Sequence, residues 1–196
     1  FGTDTGFRVL PYRIQDRYSR DKRSMEMACV TMENEFLKAE FLPEYGGRLW
    51  SLYDKKNNRE LLFRNPVMQP ANLAVRNAWF SGGIEWNVAQ YGHTFTTCDK
   101  VFFAKVVDED GYEFLRMYEY ERTKGLLWQI DFHLPDDSRQ LFAHVTIIND
   151  TTEDVSMYWW TNIAVREEDG CRVFSSTKEV MYLEPKSVYP GSEHCF

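Results

Sequence analysis

The sequence predicts an all-β domain of antiparallel strands, and three observations support this prediction. Helical periodicity is scarce, and short runs of β-branched and aromatic residues are separated by Gly, Pro, Asn and Asp, which favour tight turns. The 196 residues suffice for one large domain, and an all-β domain of this length need not divide. Aromatic residues form 16% of the chain, which argues against disorder because disordered segments are poor in aromatics.

The first half of the chain predicts a hairpin. Residues 35–42 form a candidate strand that ends before the pair Gly46 and Gly47, and residues 48–53 form the next strand. The polar residues 54–58 predict the turn of the hairpin, and residues 60–63 return from it.

The second half predicts strands in closer succession. The five candidates are residues 100–107, 113–123, 126–134, 140–149 and 155–165. Every gap between them contains Gly, Pro, Asn or Asp, so the spacing predicts an antiparallel meander in a sandwich or barrel. A further candidate, residues 173–183, has few partners beyond it, so we expect either a truncated fragment or a sheet face that awaits a partner.

Composition argues against several classes of partner and cofactor. The net charge of −7 disfavours nucleic acid, and no apolar run approaches the roughly 20 residues of a membrane helix. The four cysteines contain no CxxC pair, which predicts buried free thiols in a reducing compartment; the cytoplasm is slightly favoured and the localisation is otherwise open. Nucleotide-binding and metalloprotease motifs are lacking, so neither a cofactor nor a metal is predicted.

The stretch FSGGIEWNVAQYGHTFTT, residues 80–97, combines chemistry that a core strand does not need. It holds a glycine pair, Glu85 beside Trp86, the amide Asn87, and His93. Sugars present apolar faces flanked by hydroxyl groups, so a sugar site requires aromatic surfaces beside groups that donate and accept hydrogen bonds. The residues of this stretch therefore suit a carbohydrate ligand, and its aromatic side chains also suit a core.

The order of three motifs resembles the galactose mutarotase-like, or aldose 1-epimerase-like, supersandwich superfamily. The motifs are the glycine pair and hairpin of residues 41–62, Gly82-Gly83-Ile84 followed by Gly92-His93, and residues 147–150 followed by 158–162. The resemblance covers roughly residues 30–185. Within the superfamily the sequence is most similar to a bacterial group of domains with no assigned function, some of them joined to tetratricopeptide repeats.

The resemblance implies an antiparallel β-supersandwich of galactose mutarotase-like type whose concave face binds carbohydrate. Residues 1–30 would be an N-terminal extension that packs on the domain, and residues 31–196 would be the sandwich, lacking its C-terminal strands if the chain is a fragment. A C-terminal domain or repeats would follow in the full-length chain.

The resemblance also implies roles for particular residues. His93 matches the first active-site histidine of the superfamily, which contacts or protonates the sugar ring oxygen. The second histidine falls near Asn162, so an amide would replace it, and the late glutamate that serves as general base has no counterpart before Phe196. Glu85 stands where the epimerases carry proline.

The residues themselves suggest which side chains form the site. Glu85 lies between Ile84 and Trp86, and apolar surroundings disfavour an ionised carboxylate, which suits a general acid, so Glu85 and His93 are the catalytic candidates. The candidates for binding substrate are Arg48, Arg76, Asn77, Trp86, Asn87, Trp160 and Asn162.

Other roles for these residues stay open at this level. The asparagines and Arg76 suit loop backbone as well as sugar hydroxyls, and Arg48 suits either a ligand carboxylate or phosphate or an ion pair with Glu44 or Asp54. Trp159 and Trp160 are neighbours in a strand, so they are expected to face opposite sides of the sheet.

The sequence therefore predicts a carbohydrate-binding domain that is an accessory or N-terminal part of a carbohydrate-active protein. One alternative is an enzyme, either a sugar epimerase or a glycoside-processing enzyme, that uses Glu85 and His93. The other alternative is a structural β-domain that mediates protein contacts.

Overall fold

The protein is an all-β sandwich. The computed structural model describes residues 12, 19, 21–69, 80–88, 93–174 and 176–179, and within these ranges it contains ten strands and no helix, so none that is long and apolar enough to cross a membrane. The strands are Val30–Glu33 (β1), Leu37–Leu42 (β2), Arg48–Asp54 (β3), Arg59–Glu60 (β4), Ile84–Val88 (β5), Phe102–Val107 (β6), Glu113–Glu121 (β7), Leu126–His133 (β8), Phe142–Ile148 (β9) and Trp159–Ile163 (β10). The all-β prediction is confirmed.

The first sheet has six strands in the order β1-β2-β3-β5-β10, and β4 pairs with β3 outside this path. The predicted hairpin turn is present between β3 and β4. The Asp54 carboxylate accepts a hydrogen bond from the backbone N–H of Asn57 at 3.0 Å, and Asn58 adopts a left-handed φ of 51°. Asn is one of the few residues that tolerates this conformation, so local chemistry defines the turn.

The second sheet is an antiparallel meander of β6, β7, β8 and β9 in sequence order. It contains four of the five consecutive strands that the sequence predicts. The fifth is shorter than expected and joins the first sheet as β10, where Trp159 lies opposite Val88 of β5. Trp159 then packs towards Trp128 of the second sheet, with ring centroids 6.4 Å apart, so burial of this ring favours the crossover.

The core lies between the two sheets and follows the alternation of their strands. In the first sheet Phe41 and Trp86 point inward, and both contact Phe132 of the second sheet, with ring centroids 4.6 and 5.4 Å apart. Met117 and Ile130 complete the centre and are fully buried. Burial of these large side chains contributes most of the stability of the sandwich.

The chain forms two compact units, residues 1–166 and residues 167–196. In the second unit, the described part of the predicted strand at residues 173–183 carries no strand. In the first unit, the Tyr12 ring stacks on Phe95 at 4.8 Å, and its hydroxyl donates to Glu121 at 3.0 Å. Burial raises the pKa of Tyr12 well above its usual range. The division between residues 1–30 and 31–196 stays a prediction.

The cysteines differ from the expectation of buried thiols. Cys29, Cys98 and Cys171 are free, as predicted, but Cys29 and Cys171 are exposed. Cys98 is partly shielded, and its burial raises the pKa of the thiol to about 12, so the thiol stays protonated and inert. Cys195 lies outside the described residues.

Gly47 allows the turn between β2 and β3 to approach the second sheet. Its φ is +63°, and a Cβ at this position would lie 1.8 Å from the sulfur of Met117 and 2.9 Å from a methyl group of Val101. Both neighbours are fully buried and cannot move aside cheaply.

We expect Gly47→Ala to lower the free energy of unfolding by about 2–4 kcal/mol, because overpacking adds to the penalty for a left-handed alanine. Gly111→Ala is the matched control, since Gly111 also has a positive φ of +86° but has open space around it. Gly111→Ala should lower the free energy of unfolding only by the penalty for a left-handed alanine, about 1–2 kcal/mol. Urea denaturation measures both, and equal losses would contradict the packing role of Gly47.

Candidate functional site

Strand β5 directs two polar side chains away from the core. Successive residues of a strand face opposite sides, so Trp86 and Val88 enter the core while Glu85 and Asn87 lie on the outer face of the first sheet. Residues 94–97 are also buried, although they belong to turns. Glu85 and Asn87 are thus polar groups shielded from water outside the main core.

Glu85 is the centre of this site. The residue is 3% exposed, and its carboxylate lies 2.9 and 3.1 Å from Nδ1 of His93. The Thr97 hydroxyl donates to the same carboxylate, and the Arg48 guanidinium forms an ion pair with it at 3.4 Å. Glu85 therefore satisfies its charge with three partners from two segments, Arg48 on β3 and the pair His93 and Thr97 after β5, as a buried carboxylate requires.

Arg48 is an internal residue rather than a ligand-facing one. It is 3% exposed, and its Nη1 donates to the backbone carbonyls of Phe80 at 2.9 Å and Gly82 at 2.8 Å. Its guanidinium also lies over the Phe80 ring, 3.9 Å from the centroid. The alternative of an ion pair with Glu44 or Asp54 is wrong, because Arg48 pairs with the buried carboxylate of Glu85.

The glycine pair before β5 is explained by this arrangement. A Cβ at Gly83, which has a φ of +66°, would lie 2.4 Å from the carbonyl oxygen of Leu49. A Cβ at Gly82 would lie 2.7 Å from the Trp50 ring. Only residues without a side chain let the backbone pass this closely over β3 and present its carbonyls to Arg48.

Glu85 is held as an anion, contrary to the expectation of a general acid. Burial alone would raise the pKa of its carboxyl group. The hydrogen bond with His93, the charge of Arg48 and the hydroxyl of Thr97 outweigh burial, so the pKa lies below its usual range. A carboxylate in this state accepts hydrogen bonds and orients its neighbours, but it does not donate a proton near neutral pH.

His93 connects the buried carboxylate to the rim of the site. Its ring lies edge-on to Trp160, with centroids 5.2 Å apart and planes inclined by 64°, and its side chain is 20% exposed. Trp160 lies on β10 opposite Asn87, while its neighbour Trp159 packs against the core. The structure thus brings Trp160 to Glu85 and His93, although Trp160 lies far from these two residues in the chain.

Two asparagines belong to the same face of the sheet. Asn87 is fully buried; its Oδ1 accepts the backbone N–H of Thr94 at 2.8 Å. Its Nδ2 is one of two buried side-chain atoms without a hydrogen-bond partner in the described ranges, and the other is Nε of Arg48. Asn162 lies opposite Glu85 on β10 and is exposed, so its amide is available to a ligand.

The remaining candidates are Trp86, Arg76 and Asn77. Trp86 points to the other face, where its indole N–H donates to the carbonyl of Gly47 at 3.2 Å, so it does not form a wall of the cleft. Arg76 and Asn77 lie outside the described residues. Thr97 was missed as a site residue, although it ends the stretch that the sequence singled out.

No metal site is found in the part of the chain that the structure describes. Nowhere in it do three His, Cys, Asp or Glu side chains gather as potential ligands. Around Glu85 the neighbours are instead a guanidinium, a hydroxyl and an imidazole. The guanidinium does not bind metals, and the Thr97 hydroxyl donates its proton to the carboxylate.

Comparison with known proteins places the chain in a family. Residues 5–184 match the family described as Domain of unknown function (DUF5107). The chain belongs to this family. The DUF5107 fold is also similar to part of a TPR-domain containing protein from Parabacteroides distasonis whose crystal structure is known, with a TM-score of 0.71 and 25% sequence identity. The similarity covers 80% of this chain and 27% of that one, so this DUF5107 chain spans much less than the neighbour's length.

We expect Glu85→Gln to destabilise the protein by roughly 3–5 kcal/mol near neutral pH, because it leaves the buried Arg48 charge uncompensated. The pKa of Glu85 is lower in the folded than in the unfolded state. The carboxylate's contribution to the free energy of unfolding is therefore complete above the unfolded pKa of about 4.3, and it is lost as pH falls through the folded pKa. The difference in free energy of unfolding between the wild type and the variant should therefore become smaller in acid.

Urea denaturation near neutral pH and in acid measures this difference. Glu113→Gln is the matched control, because Glu113 pairs with Lys105 at the surface and should contribute less than about 1 kcal/mol. A loss for Glu85→Gln that is no larger than that of the control, or that does not change with pH, would contradict the role of Glu85 as a buried anion.

Proposed function

We propose that this DUF5107 chain is a carbohydrate-binding domain whose sugar site is formed by His93, Trp160 and Asn162. One observation carries the proposal: the buried Glu85 carboxylate holds the His93 ring edge-on to Trp160 at the face of the sheet. An oriented imidazole beside an aromatic ring offers a polar group and an apolar surface in one place, which is the combination that a sugar ring needs.

The polar groups around the rings of His93 and Trp160 suit ligands that carry hydroxyl groups. Asn162 is exposed, and an amide both donates and accepts hydrogen bonds, as a sugar hydroxyl does. His93 is fixed through Nδ1, so it would lose little conformational entropy when a ligand binds. Arg48 supports the site from inside by holding Glu85 in place, and Arg76 and Asn77 remain candidates for further contacts.

The resemblance of the sequence motifs and the similar solved structure support different parts of this proposal. The order of the glycine pair, the Gly-His motif and β10 resembles the galactose mutarotase-like superfamily, and the two packed antiparallel sheets suit a supersandwich of that type. The similar solved structure belongs to a longer protein with a TPR domain. This supports further domains or repeats in the full-length chain. In the proposal, the domain is an accessory or N-terminal part of a carbohydrate-active protein.

We expect Trp160→Ala to weaken binding of oligosaccharides about tenfold or more, because the aromatic surface is lost. Asn162→Ala should weaken it about two- to tenfold, the value of one neutral hydrogen bond. Tyr118→Ala is the control, since Tyr118 is an exposed aromatic residue on the second sheet. Calorimetry with ligands selected on a glycan array measures the affinities.

Two outcomes would reject this site. One is oligosaccharide binding that Trp160→Ala and Asn162→Ala leave unchanged. The other is a loss for Tyr118→Ala as large as that for Trp160→Ala, which would place the sugar on the second sheet. Glu85→Gln is a poor probe of binding here, because it unbalances the buried ion pair with Arg48.

A second candidate function is favoured by the contact between Glu85 and His93. A carboxylate that binds one nitrogen of an imidazole fixes its tautomer and orients the other nitrogen for proton transfer. In a sugar epimerase or glycoside-processing enzyme built on this pair, His93 would move the proton, while Glu85 would orient it as an anion.

We expect this chain to bind sugar weakly and to show no interconversion of glucose or galactose anomers above the buffer rate, because the pKa of Glu85 is lowered and this carboxylate does not act as a general acid beside His93. Proton NMR of freshly dissolved sugar measures the rate. Rapid interconversion that His93→Gln abolishes would overturn this expectation and favour the enzyme.

A further inference from the structure

A second cleft lies between the edge of the first sheet and the second sheet. It has a volume of about 980 Å³ and lies between β1 and the adjoining ends of β7 and β8, and it shares no lining residue with the Glu85 site. Its apolar lining includes Val30, Met32, Leu115 and Leu134. This volume is at the upper end of the range of roughly 300–1,000 Å³ that is typical of ligand sites.

The edge of β1 borders this cleft. Among the described strands β1 pairs only with β2, so the other edge of its backbone has no strand partner there. An open strand edge presents alternate N–H and C=O groups that can pair with an added strand. Val30 and Met32 are half-buried and the residues between and after them are exposed, so alternation along β1 directs its apolar side chains inward.

The cleft is strongly acidic. Its lining carboxylates are Glu33, Asp108, Glu113, Asp136 and Asp137. Lys105 is the single lysine or arginine among the lining residues, and it already pairs with Glu113 at 2.6 Å. Glu33 is also paired, with Lys55 at 2.8 Å. Asp136 and Asp137 are exposed and form no ion pair with the described residues, so an incoming cation would find them unneutralised.

We propose that the cleft binds an extended basic peptide, which adds to the edge of β1 as a further strand. Backbone pairing with β1 would supply affinity, and side chains at alternate positions would enter the cleft. Lysine fits these positions because its stem covers Val30 and Met32 while its ammonium group reaches Asp136 and Asp137 at the rim. This interaction is independent of the sugar site.

The probe is an acetylated, fluorescently labelled octapeptide amide in which lysine alternates with threonine and valine. Fluorescence anisotropy on the whole chain should show binding that weakens with salt, since the contacts are ionic. The same peptide with glutamate for lysine should not bind. A lysine peptide methylated on alternate backbone nitrogens should bind at least about tenfold more weakly, because it loses hydrogen bonds to the strand edge.

The protein variant is Asp136→Asn combined with Asp137→Asn, which should weaken the lysine peptide about three- to tenfold. The matched control, Asp150→Asn with Asp154→Asn, removes the same charge from the exposed loop between β9 and β10 and should change affinity less than about twofold. Amide hydrogen exchange should show protection of residues 30–33 when the lysine peptide is bound.

Several results would overturn the proposal. Equal losses in the two double variants would mean that only the net charge attracts the peptide. Equal affinity for the methylated peptide, or unprotected amides in β1, would mean that no strand is added. Protection of β1 by self-association without peptide, detected by sedimentation, would assign this edge to a second copy of the chain.

Discussion

The buried charge of Arg48 is the constraint on which the functional face depends. A guanidinium taken out of water must be neutralised and hydrogen-bonded, or the fold loses several kcal/mol. Here the carbonyls of Phe80 and Gly82 accept its protons and Glu85 supplies the opposite charge. The glycine pair, the position of the Phe80 segment and the ionised state of Glu85 all follow from satisfying this one group. His93 is then oriented because Glu85 is ionised.

Much of the fold could be predicted from local chemistry. Asp54 and Asn58 carry the turn of the first hairpin in their own side chains and backbone preferences, so the sequence shows where it lies. The meander of the second sheet is equally local, because each strand pairs with the next one along the chain. The destination of β10 is not local. Alternation indicates which side chains share a face, but it does not indicate which sheet a strand joins. For β10, the burial of Trp159 against Trp128 favours the first sheet.

The site shows the same limit at the level of single residues. Glu85 was expected to be protonated because Ile84 and Trp86 flank it, but in a strand the sequence neighbours face the other side of the sheet. The environment of Glu85 is instead made by Arg48, His93 and Thr97, and their proximity depends on the tertiary fold. The choice of Glu85 and His93 as site residues came from the unusual mixture of their stretch. The charge state of Glu85 could come only from the contacts.

The separation in sequence of the groups around Glu85 has a consequence for folding. Arg48 and Thr97 are 49 positions apart, so their hydrogen bond closes a long loop. Closing such a loop costs chain entropy before the contact stabilises the fold, so contacts of this kind tend to form late. The hairpin and the meander can form while His93 is still unoriented. We therefore expect a ligand of this face to recognise only the finished sandwich, and to stabilise it by mass action against every earlier, partly folded state.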